Sequence, residues 1–231
     1  MRHSVRLQDL KGKLIVSCQA LPGEALYGSD TMSKMAIAAQ KGGAAAIRAN
    51  SPDDIRAVCR AVDVPVIGLW KRSYPDSDVY ITPTYADVEQ VAKAGASIVA
   101  LDATLRHRPG GESLREIVML AREKLSCMLM ADVSTVEEGI YAHKLGFDII
   151  STTLSGYTPY SAQSAEPDFA LVSELARQVP IPVFAEGRIR TEEQTVRLLQ
   201  QGAYAIVIGG AITRPELITR HFVEAINSVA L

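Results

Sequence analysis

The sequence predicts an α/β fold, a single-domain (β/α)8 barrel (a TIM barrel) that spans residues 1–231. Short apolar runs alternate with longer helical segments. Runs such as residues 14–16 and 128–130 are continuously apolar, which is typical of parallel strands buried on both faces. A glycine followed by an apolar run recurs four times at intervals of 52, 51 and 56 residues, at Gly43, Gly95, Gly146 and Gly202. Because one β/α unit needs roughly 25–30 residues, each interval holds two units and the chain holds eight.

The strands can be placed in order from this repeat. Each of the four glycines ends a helix and precedes an even-numbered strand. The odd-numbered strands lie between them, at residues 13–17, 64–69, 127–131 and 182–185. Two of these carry a proline at their start, Pro65 and Pro182, where no hydrogen bond of the strand ladder is lost.

The helix starts agree with this order of strands. Capping pairs, in which a Ser or Thr precedes an acidic or amide residue by three positions, predict helix N-termini at Ser51/Asp54, Thr84/Asp87, Ser113/Glu116, Ser134/Glu137, Thr191/Gln194 and Thr213/Glu216. The competing fold is a doubly wound open sheet, which predicts a G-x-G-x-x-G turn after the first strand. Residues 17–23 read SCQALPG instead, and no linker divides the chain, so the single barrel is favoured.

Composition narrows the class of function. A net charge of −2 argues against a nucleic-acid-binding protein. No apolar run approaches the ~18–20 residues of a membrane span, and the N-terminus lacks the apolar stretch of a signal peptide. We therefore expect a cytoplasmic protein without a membrane partner. The three cysteines form no C-x-x-C pair and the four histidines show no ligand spacing, so we expect reduced cysteines and no metal site.

Polar residues or glycines follow the apolar run of nearly every strand. Active sites of TIM barrels lie at this carboxyl end, so we expect these residues to share one rim. The amine of Lys71 can have a lowered pKa there and act as a base or form a Schiff base, although a structural salt bridge would also explain it. Glu186 lies across the barrel, and such a pair can move a proton to or from a carbon beside a carbonyl. The predicted rim residues are Gln19, Arg48, Lys71, Asp102, Asp132, Thr152, Thr153, Glu186, Gly209 and Gly210.

Two segments indicate a phosphate site. Residues 208–213 (IGGAIT) follow the last strand and open a helix, so backbone N–H groups near Gly209 and Gly210 can point at an anion. Gly187 follows strand seven, and the loops after strands seven and eight commonly form a phosphate site in this fold. Either Arg188 or Arg214 can supply the positive charge.

The connection after strand three is unusually polar over residues 71–78 (KRSYPDSD). It is either an active-site lid or a passive surface loop.

Asp102 and Asp132, at the ends of strands four and five, can either bind a sugar hydroxyl or orient Lys71.

Eight segments, in order along almost the whole chain, resemble the N-acetylmannosamine-6-phosphate 2-epimerase family. The most specific are residues 16–23 (VSCQALPG) and 152–158 (TTLSGYT), whereas the Gly-Gly pair near the C-terminus is shared by many phosphate-binding barrels. The other segments are residues 47–50 (IRAN), 68–72 (GLWKR), 100–104 (ALDAT), 130–134 (MADVS), 185–188 (AEGR) and 209–215 (GGAITRP).

The resemblance implies an isomerase of amino-sugar and sialic acid catabolism that inverts C2 of a phosphorylated amino sugar without a metal or redox cofactor. It implies that Lys71 and Glu186 are the catalytic pair, and that the protein is a homodimer. It also implies substrate binding by Gln19, Arg48 and Asp132, to which we add Thr153. The phosphate-binding candidates are Gly187, Arg188, Gly209, Gly210 and Arg214.

Three other functions stay open, because this barrel hosts many chemistries. A Schiff-base aldolase or lyase would use Lys71 to cut a carbon–carbon bond. A different phosphosugar epimerase would commonly use a metal, for which the chain lacks paired rim histidines. A non-catalytic phosphosugar-binding sensor would keep the phosphate loops but need neither Lys71 nor Glu186.

Overall fold

The computed structural model describes residues 6–229 and shows a closed barrel of eight parallel strands in sequence order. The last strand pairs with the first, which closes the barrel and confirms the predicted fold class. The strands are β1 (Leu14–Cys18), β2 (Ala46–Asn50), β3 (Val66–Leu69), β4 (Ile98–Asp102), β5 (Met128–Asp132), β6 (Ile149–Ser151), β7 (Val183–Glu186) and β8 (Ala205–Ile208).

Each strand is followed by a helix, and the last strand by two. The helices are α1 (Ser29–Lys41), α2 (Pro52–Ala61), α3 (Tyr85–Ala94), α4 (Leu114–Lys124), α5 (Val136–Leu145), α6 (Phe169–Gln178), α7 (Glu192–Gln200), α8 (Gly210–Thr213) and α9 (Pro215–Asn227). Within the described chain, no helix is both long and apolar enough to cross a lipid bilayer. Gly95 and Gly146 end α3 and α5 in the left-handed conformation, as the glycine repeat predicts.

The core has two layers because side chains alternate between the two faces of each strand. One layer fills the barrel interior with residues such as Ile15, Met130 and Phe184. The other lies between the strands and the helices and includes Val16 and Leu129. A 3-10 turn at Leu7–Leu10 carries the buried Leu10 into the interior layer. Both faces of the strands are therefore apolar, which explains their continuous apolar runs.

The predicted capping boxes at Thr84/Asp87, Ser113/Glu116 and Thr191/Gln194 are confirmed. At Ser51/Asp54 only half of the box forms: the Ser51 hydroxyl accepts from the Asp54 amide, while the Asp54 carboxylate accepts from the Ser29 hydroxyl at 2.6 Å. The local pattern therefore gives the helix start, and tertiary contacts decide where the acidic side chain points.

Two capping predictions are wrong. The box at Ser134/Glu137 is shifted by one residue to Thr135/Glu138, because Glu138 is buried and accepts hydrogen bonds from both Ser134 and Thr135. The pair Thr213/Glu216 does not cap α9, because the Thr213 hydroxyl donates to the carbonyl oxygen of Ser17 at 2.8 Å.

The last long helix, α9, has no buried side chain although it is amphipathic. Phe222, Val223 and Ile226, which share one face of the helix, are 63%, 47% and 69% exposed. We call these three residues the α9 apolar surface. The contacts of α9 within the chain are mainly with α8, on the side of Leu217. An apolar surface of this kind on a helix typically marks a contact with another molecule.

Candidate active site

Strand alternation carries polar side chains into the mouth of the barrel. Ser17, Arg48, Asp132 and Glu186 each lie two residues after an apolar side chain of the interior layer, so they share its face. The register between strands brings them to similar heights, with Ser17 opposite Arg48 on β1 and β2. The site is therefore the top layer of the barrel interior, where polar residues replace apolar ones.

A cavity of about 820 Å³ opens at this end of the barrel. Lys71, two residues after β3, and Glu186 on β7 face it from opposite sides, because these strands lie across the closed barrel from each other. The predicted site residues that line the cavity are Gln19, Arg48, Lys71, Thr153, Glu186, Gly187, Arg188, Gly209, Gly210 and Arg214.

Arg48 forms the ionic centre of the site and is only 1% exposed. Its guanidinium donates to both carboxylate oxygens of Asp132, at 3.2 and 2.5 Å, and also to Glu186. The Thr153 hydroxyl donates to Asp132 at 2.7 Å and lies 3.0 Å from a carboxylate oxygen of Glu186. The Arg48 Nε is buried without a partner among the described residues. One arginine thus holds two carboxylates on neighbouring parts of the rim.

Burial and the charge of neighbouring groups have opposite effects on the pKa values of Arg48 and Glu186. Burial alone would lower the pKa of Arg48, but the negative charges of Asp132 and Glu186 raise it, so the guanidinium stays charged. Burial and the neighbouring Asp132 raise the pKa of Glu186, and this shift is opposed by Arg48, Thr153 and Lys71. The hydroxyl of Thr152 fixes the Glu186 backbone, since it accepts from its amide at 3.1 Å and donates to its carbonyl at 2.9 Å.

Lys71 presents a free amine to the cavity. Its backbone is fixed, because its amide donates to Asn50 at 2.8 Å and the residue pairs with Ile81. Its Nζ has no hydrogen-bond or ion-pair partner among residues 6–229, so the structural salt bridge is not present. Burial, and then the positive charge of Arg48, lower the pKa of Lys71 to about 8. A minor fraction of the amine is therefore neutral near physiological pH, more than in a lysine with an ordinary pKa.

Three predicted rim residues, Asp102, Asp132 and Thr152, do not line the cavity. Asp132 is fully buried behind Arg48, so its contact with a ligand would be indirect. Asp102 is also buried, and its carboxylate accepts from Arg106 at 2.6 Å and from the Thr104 hydroxyl at 2.6 Å. The geometry does not join the Asp102 carboxylate to Lys71, and this carboxylate interacts with the loop that follows β4.

The loops after β7 and β8 form the opposite side of the cavity. Gly209 lies so close to β1 that an added Cβ would be 3.3 Å from the Cβ of Ser17. Gly187 has a φ of +109°, which favours glycine. The first amides of α8, at Gly210 and Ala211, have no acceptor within that helix. These loops therefore bring two glycines and backbone amides without a helical acceptor to this side of the cavity.

The two candidate arginines differ in their contacts. The Arg188 guanidinium is engaged with the loop between β6 and α6, where it donates to the carbonyl oxygens of Ser155 and Glu166 at 2.7 and 2.9 Å. Arg214 makes a single ion pair, with Glu24 at 2.9 Å, and is about one third exposed. Arg214 consequently retains donors that can reach a ligand beside Gly209 and Gly210.

The polar connection at residues 71–78 is tied to the barrel. Arg72 pairs with the buried carboxylate of Asp87 at 2.8 Å, and its guanidinium lies over the rings of Trp70 and Tyr74. The Tyr74 hydroxyl donates to the same carboxylate at 3.0 Å. These contacts anchor the loop to the barrel, and the residues that follow it, Tyr80 and Ile81, lie at the cavity. They do not support a free lid.

Sequence reasoning missed several residues of the cavity wall, namely Ser17, Tyr80, Ile81 and Tyr157. Ser17 could have been found from strand alternation, since it shares a face of the chain with Gln19, and its hydroxyl oxygen accepts a hydrogen bond from the side-chain amide of Gln19 at 2.8 Å. Tyr80 and Ile81 follow the polar connection, and nothing in their local sequence indicates that the loop folds back over the barrel.

The arrangement is suited to proton transfer at a carbon atom. A partly neutral amine faces a carboxylate across a cavity whose far side can bind an anion. Within residues 6–229, no group of three or more His, Cys, Asp or Glu side chains is placed to hold a metal ion.

Comparisons with known proteins agree with this geometry. Residues 32–228 match the family model described as "Putative N-acetylmannosamine-6-phosphate epimerase". A protein from Clostridium perfringens described as "Putative N-acetylmannosamine-6-phosphate 2-epimerase" is 53% identical over 96% of this chain and 100% of its own length. A protein of the same description from Caldanaerobacter subterraneus is 54% identical over 96% of this chain and 94% of its own.

Solved structures show the same relationship. The N-acetylmannosamine-6-phosphate 2-epimerase from Clostridium perfringens superposes with a TM-score of 0.94 at 51% identity, over 97% of this chain and 98% of that one. An aldolase at 19% identity and a TM-score of 0.64, over 93% of this chain and 98% of that one, shares the fold alone. The chain therefore belongs to the N-acetylmannosamine-6-phosphate epimerase family.

Proposed function

We propose that this protein is an isomerase that interconverts N-acetylmannosamine 6-phosphate and N-acetylglucosamine 6-phosphate by inverting C2. The observation that carries the proposal is the unpaired, partly neutral amine of Lys71, which faces Glu186 across a cavity with anion-binding backbone on its other side. The family relationship supplies the identity of the sugar.

The reaction begins when the sugar ring opens to an aldehyde, which acidifies the hydrogen on C2. The neutral amine of Lys71 removes this proton, and the electron pair of the C–H bond forms an enolate with the C1 carbonyl. A proton then returns to the opposite face of C2 and inverts it. Glu186 is the second member of the pair and works on the same proton path.

Substrate binding is assigned to the polar wall around this pair. Gln19 and Arg48 line the cavity and are placed to stabilise negative charge that develops on the C1 oxygen. Thr153 links Asp132 to Glu186 beside the same cavity. Asp132 acts through Arg48, because it lies behind the guanidinium.

The phosphate group is assigned to the loops after β7 and β8. Backbone N–H groups around Gly187, Gly209 and Gly210 approach it closely, and Arg214 supplies the charge. Arg188 has a different task in this proposal: it holds the loop between β6 and α6, which carries Thr153 into the cavity.

The proposed reaction is tested by incubating the purified protein with N-acetylmannosamine 6-phosphate and EDTA and following the sugars by ¹H NMR. We expect N-acetylglucosamine 6-phosphate to accumulate to an equilibrium mixture. Activity that disappears with EDTA and returns with a divalent metal would contradict the cofactor-free mechanism. Covalent trapping of Lys71 by borohydride with cleavage of the sugar would instead indicate an aldolase or lyase.

The pH dependence of the rate follows from the state of Lys71. Because the base is the neutral amine and its pKa is lowered to about 8, we expect kcat to rise with pH and to level off above about pH 8. An amine with an ordinary pKa would give a rate that still rises near pH ~10. The profile of kcat at saturating substrate distinguishes the two. A plateau that begins below about pH 6 would mean that another group is the base.

We propose that the protein is a homodimer of the cytoplasm and that the α9 apolar surface is buried against a second copy. Three large apolar side chains on one face of a helix with no buried residue would be costly to leave in water. A second copy presents the same surface, so a symmetric contact can cover both.

The dimer is tested by light scattering after size-exclusion chromatography. The native protein should have the mass of two chains, and the double substitution Phe222→Asp and Ile226→Asp should give one. As a control, Met119→Asp changes an exposed apolar residue of α4 that lies outside this surface and should leave the dimer intact. A monomeric native protein, or a dimer that survives the double substitution, would refute this interface.

A further inference from the structure

Tyr80 is a polar residue of the cavity wall that the proposed mechanism does not use. It is partly buried, and within residues 6–229 its hydroxyl has no hydrogen-bond partner. Its place is fixed by the backbone: the Tyr80 carbonyl accepts from the Arg72 amide at 2.9 Å. The next residue, Ile81, pairs with Lys71 and its carbonyl accepts from the Asp102 amide at 2.9 Å. An anchored phenol without a partner is therefore available to a ligand.

The position of Tyr80 indicates which part of the ligand it meets. It belongs to the connection after β3, whereas the anion-binding loops follow β7 and β8 on the opposite side of the closed barrel. A sugar whose 6-phosphate lies at those loops extends its C1–C2 half toward Lys71. The acetamido group on C2 is then the part that reaches the wall formed by Tyr80 and Ile81.

The chemistry of the two side chains fits an acetamido group. Burial, and then the charges of Asp132 and Asp102, raise the pKa of Tyr80 to about 12, so its phenol is protonated and acts as a donor. Ile81 is only 1% exposed in the protein and lines the cavity beside it. A donor next to an apolar side chain matches a carbonyl oxygen next to a methyl group.

We propose that Tyr80 and Ile81 form the subsite for the acetamido group, in which the Tyr80 hydroxyl donates to the acetamido carbonyl oxygen and Ile81 contacts the methyl group. The inference rests on the proposed function and adds the residues that distinguish an N-acetylated sugar phosphate from one without the acetyl group.

The subsite is tested by the binding of two unreactive open-chain ligands, N-acetylglucosaminitol 6-phosphate and glucitol 6-phosphate, which differ by the acetamido group. Their Kd values are measured by calorimetry for the native protein and for Tyr80→Phe. Because one neutral hydrogen bond contributes about 0.5–1.5 kcal/mol, we expect Tyr80→Phe to weaken the acetylated ligand ~2–10-fold and to leave glucitol 6-phosphate unchanged. The unchanged ligand also reports that the variant is folded.

Tyr160→Phe is the matched control, because its hydroxyl donates to Glu138 and it does not line the cavity. It should change neither Kd. Equal weakening of both ligands by Tyr80→Phe, or of neither, would overturn the subsite. A native protein that fails to interconvert the two sugars would contradict the proposed function instead, and this outcome is separate because the binding ratio requires no turnover.

Discussion

Lys71→Met should lower kcat by ~10²–10⁴-fold, because removal of a positioned acid/base group typically has an effect of this size. Methionine keeps an unbranched apolar stem of similar reach, so the cavity wall and the pairing of residue 71 with Ile81 should persist. The far-UV circular dichroism spectrum should be unchanged. Lys34→Met is the matched control, since Lys34 is an exposed lysine of α1 that pairs only with Asp30 among the described residues, and it should keep native activity.

Glu186→Gln should lower kcat by a similar factor, since it keeps the shape of the side chain and removes the carboxylate. The change also removes one negative charge from the guanidinium of Arg48, so the thermal midpoint of unfolding must be measured alongside the rate. If Lys71 and Glu186 work on one proton path, the double variant should be little slower than the slower single variant. A Lys71→Met enzyme that retains more than about a tenth of native kcat would assign Lys71 a structural role.

Arg214→Met should lower kcat/KM for N-acetylmannosamine 6-phosphate by roughly 10–100-fold, the range expected when hydrogen bonds to a charged group are lost. The same variant should act on unphosphorylated N-acetylmannosamine no worse than the native protein does, since no phosphate is present to lose a contact. Native protein should in turn prefer the phosphorylated sugar by a large factor. Initial rates with both sugars give these ratios.

Arg188→Met is the informative comparison for Arg214→Met. Because Arg188 donates to Ser155 and Glu166, its loss should loosen the loop between β6 and α6 and lower the thermal midpoint of unfolding. Arg188→Met should retain more of the native preference for the phosphorylated sugar than Arg214→Met does. A preference for phosphate that survives in Arg214→Met and disappears in Arg188→Met would reverse the two assignments.

Much of the fold can be predicted from the sequence because the barrel is built from local patterns that repeat. The glycine that ends a helix and the apolar run that follows it are both short-range features. The residues of the rim can be predicted from these two features, because the carboxyl ends of the strands in a closed parallel barrel meet at one edge. Lys71, Glu186 and Arg48 could be placed at one site without knowledge of any distance between them.

The choice between Arg188 and Arg214 and the exposure of the α9 apolar surface cannot be predicted in this way, because both depend on contacts between distant parts of the chain. Whether Arg188 or Arg214 is free to meet an anion depends on Ser155, Glu166 and Glu24, which no local pattern connects to them. The exposed residues of α9 have the spacing of an ordinary packed helix. Sequence patterns can therefore predict which residues share the rim, but not which of them are already engaged by neighbours.

NMR in D2O tests most directly whether the protein moves a proton at C2 of the sugar. Native protein incubated with N-acetylmannosamine 6-phosphate and EDTA should yield N-acetylglucosamine 6-phosphate with deuterium at C2, and Lys71→Met should exchange C2 ~10²–10⁴-fold more slowly. Interconversion without deuterium at C2, or exchange at an unchanged rate in Lys71→Met, would contradict proton transfer at C2 by Lys71.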